Sequence, residues 1–283
     1  MKFNKIKIYF LLLLLLINGM IFYTVITSTK NNVLKVSFLD VGQGDAALIE
    51  SPTGNQLLID GGPNKNILNA LGRVMHFYDK TIDAVLTTHP DQDHIGGIPE
   101  VLKNYTVGEY IDNGATSSTG IFKELKNEIS KNNIKTEIAR AGEILDLGGG
   151  VFLKILYPTS DPKGTDTNEY SIVAKLYYGS STFLFTGDAP ADAEQYLAKT
   201  DGKELKSDVL KVAHHGSRNS LSPEFLSAVV PEYSVISAGK DNSYGHPHKE
   251  IIDFLNSIKT NILITFDLGD ICFVSDGQTV KRE

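Results

Sequence analysis

Six of the seven histidines in this chain lie in three loops, and each loop follows directly on a short apolar run. Ile82-Asp83-Ala84-Val85-Leu86 leads into Thr87-Thr88-His89-Pro90-Asp91-Gln92-Asp93-His94. Val209-Leu210-Lys211-Val212-Ala213 leads into His214-His215-Gly216-Ser217, and Val235-Ile236-Ser237-Ala238-Gly239 into a loop holding His246 and His248. A fourth run, Phe183-Leu184-Phe185-Thr186-Gly187, ends on Asp188. Short apolar runs bounded by turn residues read as buried strands. The fold must therefore present these groups on loops at strand ends, where chemistry is usually placed. In the first loop His89, Asp91, Asp93 and His94 crowd into six residues, and they would repel one another if nothing bound between them. Imidazole with carboxylate suits zinc, or manganese and iron where oxygen ligands weigh more. A lone strand-end carboxylate such as Asp188 suits a bridge between two ions.

The N-terminus is a separate object. Met1 to Lys7 is basic, and Ile8 to Ile26 is an uncharged apolar run close to the roughly 20 residues that cross a bilayer. A cleaved signal peptide would share the basic start, but the run is long and Val25-Ile26-Thr27 is a poor cleavage site. The expectation is a single-pass membrane anchor over residues 1–27, with Lys2, Lys5 and Lys7 cytoplasmic and the rest extracellular. Secretion after signal cleavage is the rival. Ser28 to Asn32 reads as a polar linker, and residues 33–283 as the folded domain. The net charge of −7, with no Lys/Arg-rich run, argues against a broad non-specific nucleic-acid surface. It leaves room for a site where metal ions supply the positive charge locally.

From Val33 onward, apolar strands alternate with Gly/Pro/Asn/Asp turns and amphipathic helices. Val33 to Val41, Ala46 to Glu50 and Gln56 to Asp60 predict an antiparallel meander, and Ile67, Leu68, Leu71, Val74 and Met75 recur at helical spacing. Gly148-Gly149-Gly150 and Gly179-Ser180-Ser181 mark two hairpins, and Ile262 to Phe266 with Ile271 to Val274 a third. Hairpins and strand–helix units together predict an α+β chain built as a four-layer αββα sandwich. The single cysteine, Cys272, sits in an apolar stretch and reads as a buried thiol.

His89-x-Asp91-x-Asp93-His94 resembles the H-x-H-x-D-H signature of the metallo-β-lactamase superfamily, with Asp91 at the second histidine. Six phrases, in order, resemble the hydrolase domain of the ComEC family of DNA-uptake proteins. They are Phe38-Leu39-Asp40-Val41-Gly42-Gln43-Gly44-Asp45, Leu58-Ile59-Asp60-Gly61-Gly62, the first histidine loop, Phe185-Thr186-Gly187-Asp188-Ala189, Leu210-Lys211-Val212-Ala213-His214-His215-Gly216-Ser217 and Tyr244-Gly245-His246-Pro247. The resemblance covers Val33 to Val274. It implies the αββα fold, one or two divalent metal ions (zinc or manganese) and hydrolysis by metal-activated water. By position it implies that Asp93 and His94 hold one ion, that His89 with Asp91 holds the other, and that Asp188 bridges them. It further implies His215 as a late ligand with His214 facing substrate phosphate. His246 is either that late ligand instead or a phosphate-binding proton donor.

The sequence also departs from the superfamily pattern. No histidine occurs between His94 and His214, where many members carry another ligand; Asn168, Glu169 or Ser171 would stand there. With Asp91, that leaves an oxygen-rich site, which favours manganese or a loosely held first zinc. β-Lactamase activity is not expected.

These readings point to a metal-dependent phosphodiesterase or nuclease acting outside the membrane. Asp93 and Asp188 would orient the nucleophile, and His214 or His246 would assist the departing oxygen. Extracellular DNA is the substrate the family suggests, and a smaller phosphoester fits the acidic chain equally well. Two other classes stand beside it: a non-enzymatic, surface-tethered binding module with a degenerate metal site, and a carboxylic ester or lactone hydrolase. Single residues have plainer readings too. Asp188 before Ala189-Pro190 could be a helix N-cap. Asp60 could order the metal loop by hydrogen bonds, and Asp40 and Asp45 could be turn residues. His248 reads as the start of the last helix and His76 as a surface residue. Tyr244 is the one aromatic not read as core.

Overall fold

The computed structural model of the protein describes residues 5–28 and 33–283. The expected linker lies, apart from Ser28, outside the described residues, and so does Lys2. Helix α1 (Lys5–Ser28) carries a stretch, Lys5–Tyr23, that is long and apolar enough to cross a membrane and is not buried against the rest of the chain.

Everything from Leu34 onward builds two sheets. The N-terminal half supplies β1 (Leu34–Phe38), β2 (Ala47–Glu50), β3 (Gln56–Ile59), β4 (Thr81–Leu86), β5 (Thr106–Asp112) and β6 (Lys135–Ile138). The second sheet takes β7 (Ile144–Gly148), β8 (Val151–Tyr157), β9 (Val173–Tyr178), β10 (Ser181–Phe185), β11 (Val209–Lys211), β12 (Tyr233–Ile236) and β13 (Asn261–Ile264). The chain then returns with β14 (Ile271–Ser275) and β15 (Val280–Arg282). The orders are β15-β14-β1-β2-β3-β4-β5-β6 and β13-β12-β11-β10-β9-β8-β7.

Strand periodicity decides the layers. Leu57 and Ile59 point into the space between the sheets while Leu58 points to the outer face, and Phe183 and Phe185 are split from Leu184 in the same way. Phe38 packs on Phe185 and Phe273 at ring separations of 5.7 and 6.1 Å, which joins the two sheets. Truncating such a residue costs about 3–5 kcal/mol. Outside the first sheet lie α2 (Asn66–Val74), α3 (Gln92–Ile95), α4 (Ile98–Asn104) and α5 (Gly120–Lys131); outside the second lie α6 (Ala191–Thr200), α7 (Pro223–Val229) and α8 (Lys249–Ser257). In α5, Thr119 caps the first turn through Phe122 N, and Phe122, Leu125 and Ile129 form the buried stripe. The four-layer αββα sandwich expected from the sequence is the observed architecture.

Two expectations need correcting. The runs at Ile262 to Phe266 and Ile271 to Val274 do not form a hairpin. β13 pairs parallel with β12 in one sheet, β14 pairs antiparallel with β1 in the other, and helix α9 (Thr265–Leu268) carries the chain across. Leu263, Ile271 and Phe273 all face the same inter-sheet core, so burial is satisfied without pairing the two runs. Strand β6 was invisible to an apolar pattern, because Lys135-Thr136-Glu137-Ile138 is an exposed, charged edge strand. Cys272 lies on β14 and is only half-buried.

Strand direction places the candidate site. β3, β4 and β5 run parallel, as do β10 to β13. Their C-terminal ends meet at one end of the sandwich, where Ile172 N donates across to Thr88 O at 3.0 Å.

Candidate metal centre

Four strand-end loops converge on Asp188. Asp188 is 2% exposed, and the N-cap of α6 is Pro190, so Asp188 does not serve as a helix cap. Its Oδ1 lies 3.2 Å from His94 Nε2. Its Oδ2 lies 3.6 Å from both His214 Nε2 and His215 Nε2, and 4.0 Å from His89 Nε2. His215 Nε2 is also 3.2 Å from Asp93 Oδ2. Ligand atoms about 2 Å from a common ion lie roughly 3–4 Å from one another. Asp93, His94, Asp188 and His215 meet that condition as a set, with one ligand atom from each within 4.8 Å of all the others.

The adjacent histidines reach the same carboxylate through an unusual backbone. His214 (φ 51, ψ 43) and His215 (φ 54, ψ 23) are both left-handed, where adjacent residues of a strand would point to opposite faces. Each such residue costs about 1–2 kcal/mol, and strain of this kind collects at functional sites. Gly216 (φ 82) continues the turn; a Cβ there would lie 2.6 Å from Pro247 Cβ, so only glycine lets the two histidine loops touch.

Behind the inner histidines stand buried carboxylates. His94 Nδ1 donates to Asp60 Oδ2 at 2.8 Å, and Asp60 is fixed in turn by Thr88 N and Thr88 Oγ1 at 2.7 and 2.8 Å. His215 Nδ1 lies 2.9 Å from Ser237 O and 3.1 Å from Asp45 Oδ1, and Lys211 Nζ holds the other Asp45 oxygen at 2.7 Å. Asp60 thus orders the loop by hydrogen bonds, Asp45 reaches the centre, and Asp40 makes a turn by accepting from Gly42 N. Lys211 is a member of this shell that sequence reasoning missed; a lysine inside an apolar strand, 3% exposed, was the available signal.

The outer side is built from weaker groups. His89 Nε2 is 3.6 Å from Asp91 Oδ2, and the other Asp91 oxygen accepts from Thr167 Oγ1 at 2.6 Å. Asp91 occupies the N-cap position of α3 without capping it, so its side chain is turned to His89. Of the three residues expected near the missing histidine, Ser171 backs His89 Nδ1 at 3.4 Å and accepts from Asp188 N at 3.0 Å. Asn168 offers a buried Oδ1 with no partner, and Glu169 is exposed beside Tyr157 and Tyr170. His246 joins the cluster, 5.7 and 6.2 Å from the rings of His214 and His215, with Tyr244 stacked on it at 5.6 Å. His248 is the N-cap residue of α8, its ring accepting from Arg218 N, and His76 lies exposed beyond α2.

Electrostatics separates the two sides. Burial alone would lower His94 and His215, yet Asp188 and Asp60 hold His94 well above its ordinary value, and Asp188 and Asp45 push His215 up to about 9. Burial would raise Asp188, but His94 and His215 hold it well below the carboxylate range. Burial keeps His214 low and, with His215 and His214 beside it, takes His246 down to about 4. Protons on the inner histidines thus offset the buried carboxylates, a role a divalent cation takes over by displacing them. The residues fit such an ion. His89 Nε2, His94 Nε2 and Asp188 Oδ1 are buried without a hydrogen-bond partner, although buried polar atoms are nearly always paired. Donor atoms that converge without bonding one another are what a shared cation needs.

The chain is similar to known proteins over most of this domain. Residues 39–240 match the metallo-beta-lactamase superfamily. ComE operon protein 3 of Bacillus subtilis is 28% identical over 254 residues, 84% of this chain and 32% of that protein. Recombination protein 2 of Haemophilus influenzae is 32% identical over 241 residues, 84% of this chain and 28% of that protein. The chain thus spans about a third of the length of these curated relatives. Among solved structures, the metallo-beta-lactamase fold protein YhfI of Bacillus subtilis superposes with a TM-score of 0.58 at 14% identity, covering 87% of this chain and 100% of that one. With the match running from the end of β1 past the end of β12, and so through the loops that carry His89, His94, Asp188, His214 and His215, the chain belongs to the metallo-beta-lactamase superfamily of metal-dependent hydrolases.

Proposed function

We propose that this chain hydrolyses phosphodiesters, DNA among them, outside the cytoplasmic membrane to which α1 anchors it. The observation that carries the reading is the position of Asp188 between two ligand sets. Asp93, His94 and His215 stand on one side; His89 and Asp91 stand on the other. A centre whose residues would hold two divalent ions suits the in-line displacement of a phosphoester. The oxygen donors of Asp91 and Asp188 favour manganese at the outer position. Names containing competence or recombination among the relatives support a nucleic-acid substrate.

Divalent ions bound there would supply Lewis acidity to the phosphoryl oxygens and lower the pKa of attacking water. The remaining work falls to side chains. Asp93 and Asp188 accept hydrogen bonds from the attacking water and fix its direction. His214 and His246, largely neutral, donate N–H bonds to a phosphoryl oxygen. The negative charge of a bound phosphate raises His246 toward the range where it can protonate the leaving oxygen. Asp45 and Asp60 hold the rings of His215 and His94.

The test is turnover by the purified chain of bis-p-nitrophenyl phosphate, single-stranded DNA and a simple lactone with added manganese or zinc. Metal-dependent cleavage of a phosphodiester that disappears in Asp188→Ala is the expected result. Lactone cleavage alone would move the chain to ester hydrolysis, and no turnover on any ester would move it to a binding module. A mature protein beginning near Ser28 would replace the anchor by a cleaved signal.

A further inference from the structure

We propose that the turn His76–Asp79 is a membrane-contacting surface. It seats the strand-start end of the sandwich on the bilayer, so that the metal centre faces away from the lipid. The proposal rests on the reading of α1 as a membrane anchor.

Phe77 is 87% exposed, the highest value for any large hydrophobic among the described residues, and Tyr78 beside it is 52% exposed. The rings form one unit: His76 stacks on Tyr78 at 5.2 Å, and Phe77 meets Tyr78 edge-on at 5.3 Å. This is not a slack loop. Asp79 N donates to His76 O at 2.9 Å, and the Asp79 carboxylate accepts from Thr81 N and Thr81 Oγ1 at 3.0 and 2.7 Å. Gln56 Nε2 reaches the same carboxylate at 2.9 Å and ties the turn to the first pair of β3. The scaffold therefore holds apolar rings in water. Single exposed apolar residues need no explanation, but a fixed cluster of rings marks a contact.

Strand register shows what that contact is near. Gln56 pairs with Glu50, and Glu50 with Lys35. Lys35 is the second residue of β1, immediately after the chain enters from the membrane helix. Gln56 and Lys35 lie two strands apart, about 10 Å. Residues 29–33 separate α1 from β1 and span at most about 17 Å. Entry point and aromatic turn thus share one end of the sheet, within linker reach of the bilayer. The metal loops occupy the opposite end, roughly 20 Å away along β4 from Asp83 to His89. Tyrosine and other amphipathic rings settle at headgroup depth. Lys80, exposed next to the turn, adds a cation suited to lipid phosphate.

The chain contains no tryptophan, so Phe77→Trp introduces a single reporter. The full-length variant is reconstituted into phosphatidylethanolamine/phosphatidylglycerol vesicles with or without brominated acyl chains. The expected result is a blue-shifted emission that loses roughly half its intensity to brominated lipid and resists aqueous iodide. Ile138→Trp is the control, an exposed apolar position paired with Asp112 at the metal end of the same sheet. It should behave oppositely, quenched by iodide and blind to bromine. A membrane-embedded Phe77→Trp chain that iodide quenches and brominated lipid does not would overturn the proposal and leave the anchor standing. Protection from iodide without quenching by bromine would also overturn it, in favour of contact between copies of the chain. Failure of the chain to float with vesicles would remove the anchor reading itself, and the proposal with it.

Discussion

On the inner side of Asp188, His94 and His215 each have their outer ring nitrogen against a buried carboxylate, Asp60 and Asp45. On the outer side, His89 leans on the hydroxyls of Thr88 and Ser171 at 3.0 and 3.4 Å, and the His214 side chain is 26% exposed. A carboxylate behind a histidine fixes its tautomer and makes it a stronger donor; a hydroxyl does so weakly. Burial deepens the contrast, because the inner donors lie where charge interactions are poorly screened. If both sets bind ions as proposed, the inner set would hold one tightly and the occupancy of the outer set would follow supply. Activity would then track the outer ion while folding tracks the inner one.

The largest effect should come from removing what both sides share. Asp188→Ala is expected to release both ions and lower turnover to background, with the metal content of the purified variant read by elemental analysis. If it kept one ion at wild-type affinity, Asp188 would not be a bridge. Next come the backing groups. Asp45→Asn or Asp60→Asn should weaken the tight ion roughly 10–100-fold in a chelator competition, whereas Ser171→Ala should weaken only the loose one and by less. Equal losses from all three would erase the distinction between the sides. Asp91→His exchanges oxygen for imidazole on the outer side; the expectation is tighter zinc binding and a smaller advantage for manganese, seen in metal titrations of turnover.

The smallest effect on catalysis should come from a buried carboxyl on α6. Glu194 is fully buried, accepts from Ser222 N at 2.7 Å, and is pushed by burial up to about 8 from an ordinary 4.5. Its folded value is raised, so its contribution to stability is fully present below about 4.5 and is lost as pH rises through about 8. Glu194→Gln should therefore flatten the fall in Tm over that window, by about 5 °C at its upper end, and leave turnover at neutral pH unchanged. A wild-type Tm that does not fall across that window would show that Glu194 ionises normally.

What could be read in the sequence followed a single physical pattern. A run such as Phe183-Leu184-Phe185 must be buried, so the first polar group after it, here Asp188, stands at a strand mouth; the same logic located His89, His94, His214 and His246. The backing groups were harder to see because they follow the opposite pattern. Asp45 follows Gly44, Asp60 precedes Gly61-Gly62, and both look like turn residues, while Lys211 interrupts a strand. Only the folded register brings Lys211, Asp45 and His215 into one line. The left-handed pair His214–His215 was also hidden, since neither residue type announces a positive φ. At the fold level, β6 escaped because an edge strand needs no apolar face, and β13 and β14 were joined because two apolar runs near a glycine satisfy the hairpin pattern as well as a crossover does.

The return of β14 to the side of β1 sets an order of events in time. During synthesis the first sheet can form its meander and the loop carrying His94, but β1 keeps one edge unpaired and Phe38 lacks Phe273 until residues 271–275 have been made. An open strand edge over an unfilled core invites pairing with other chains. That interval spans the synthesis of the whole second sheet, β7 to β13. A premature stop between His246 and Ile271 would thus leave every proposed ligand in place and still be expected to produce an aggregating chain.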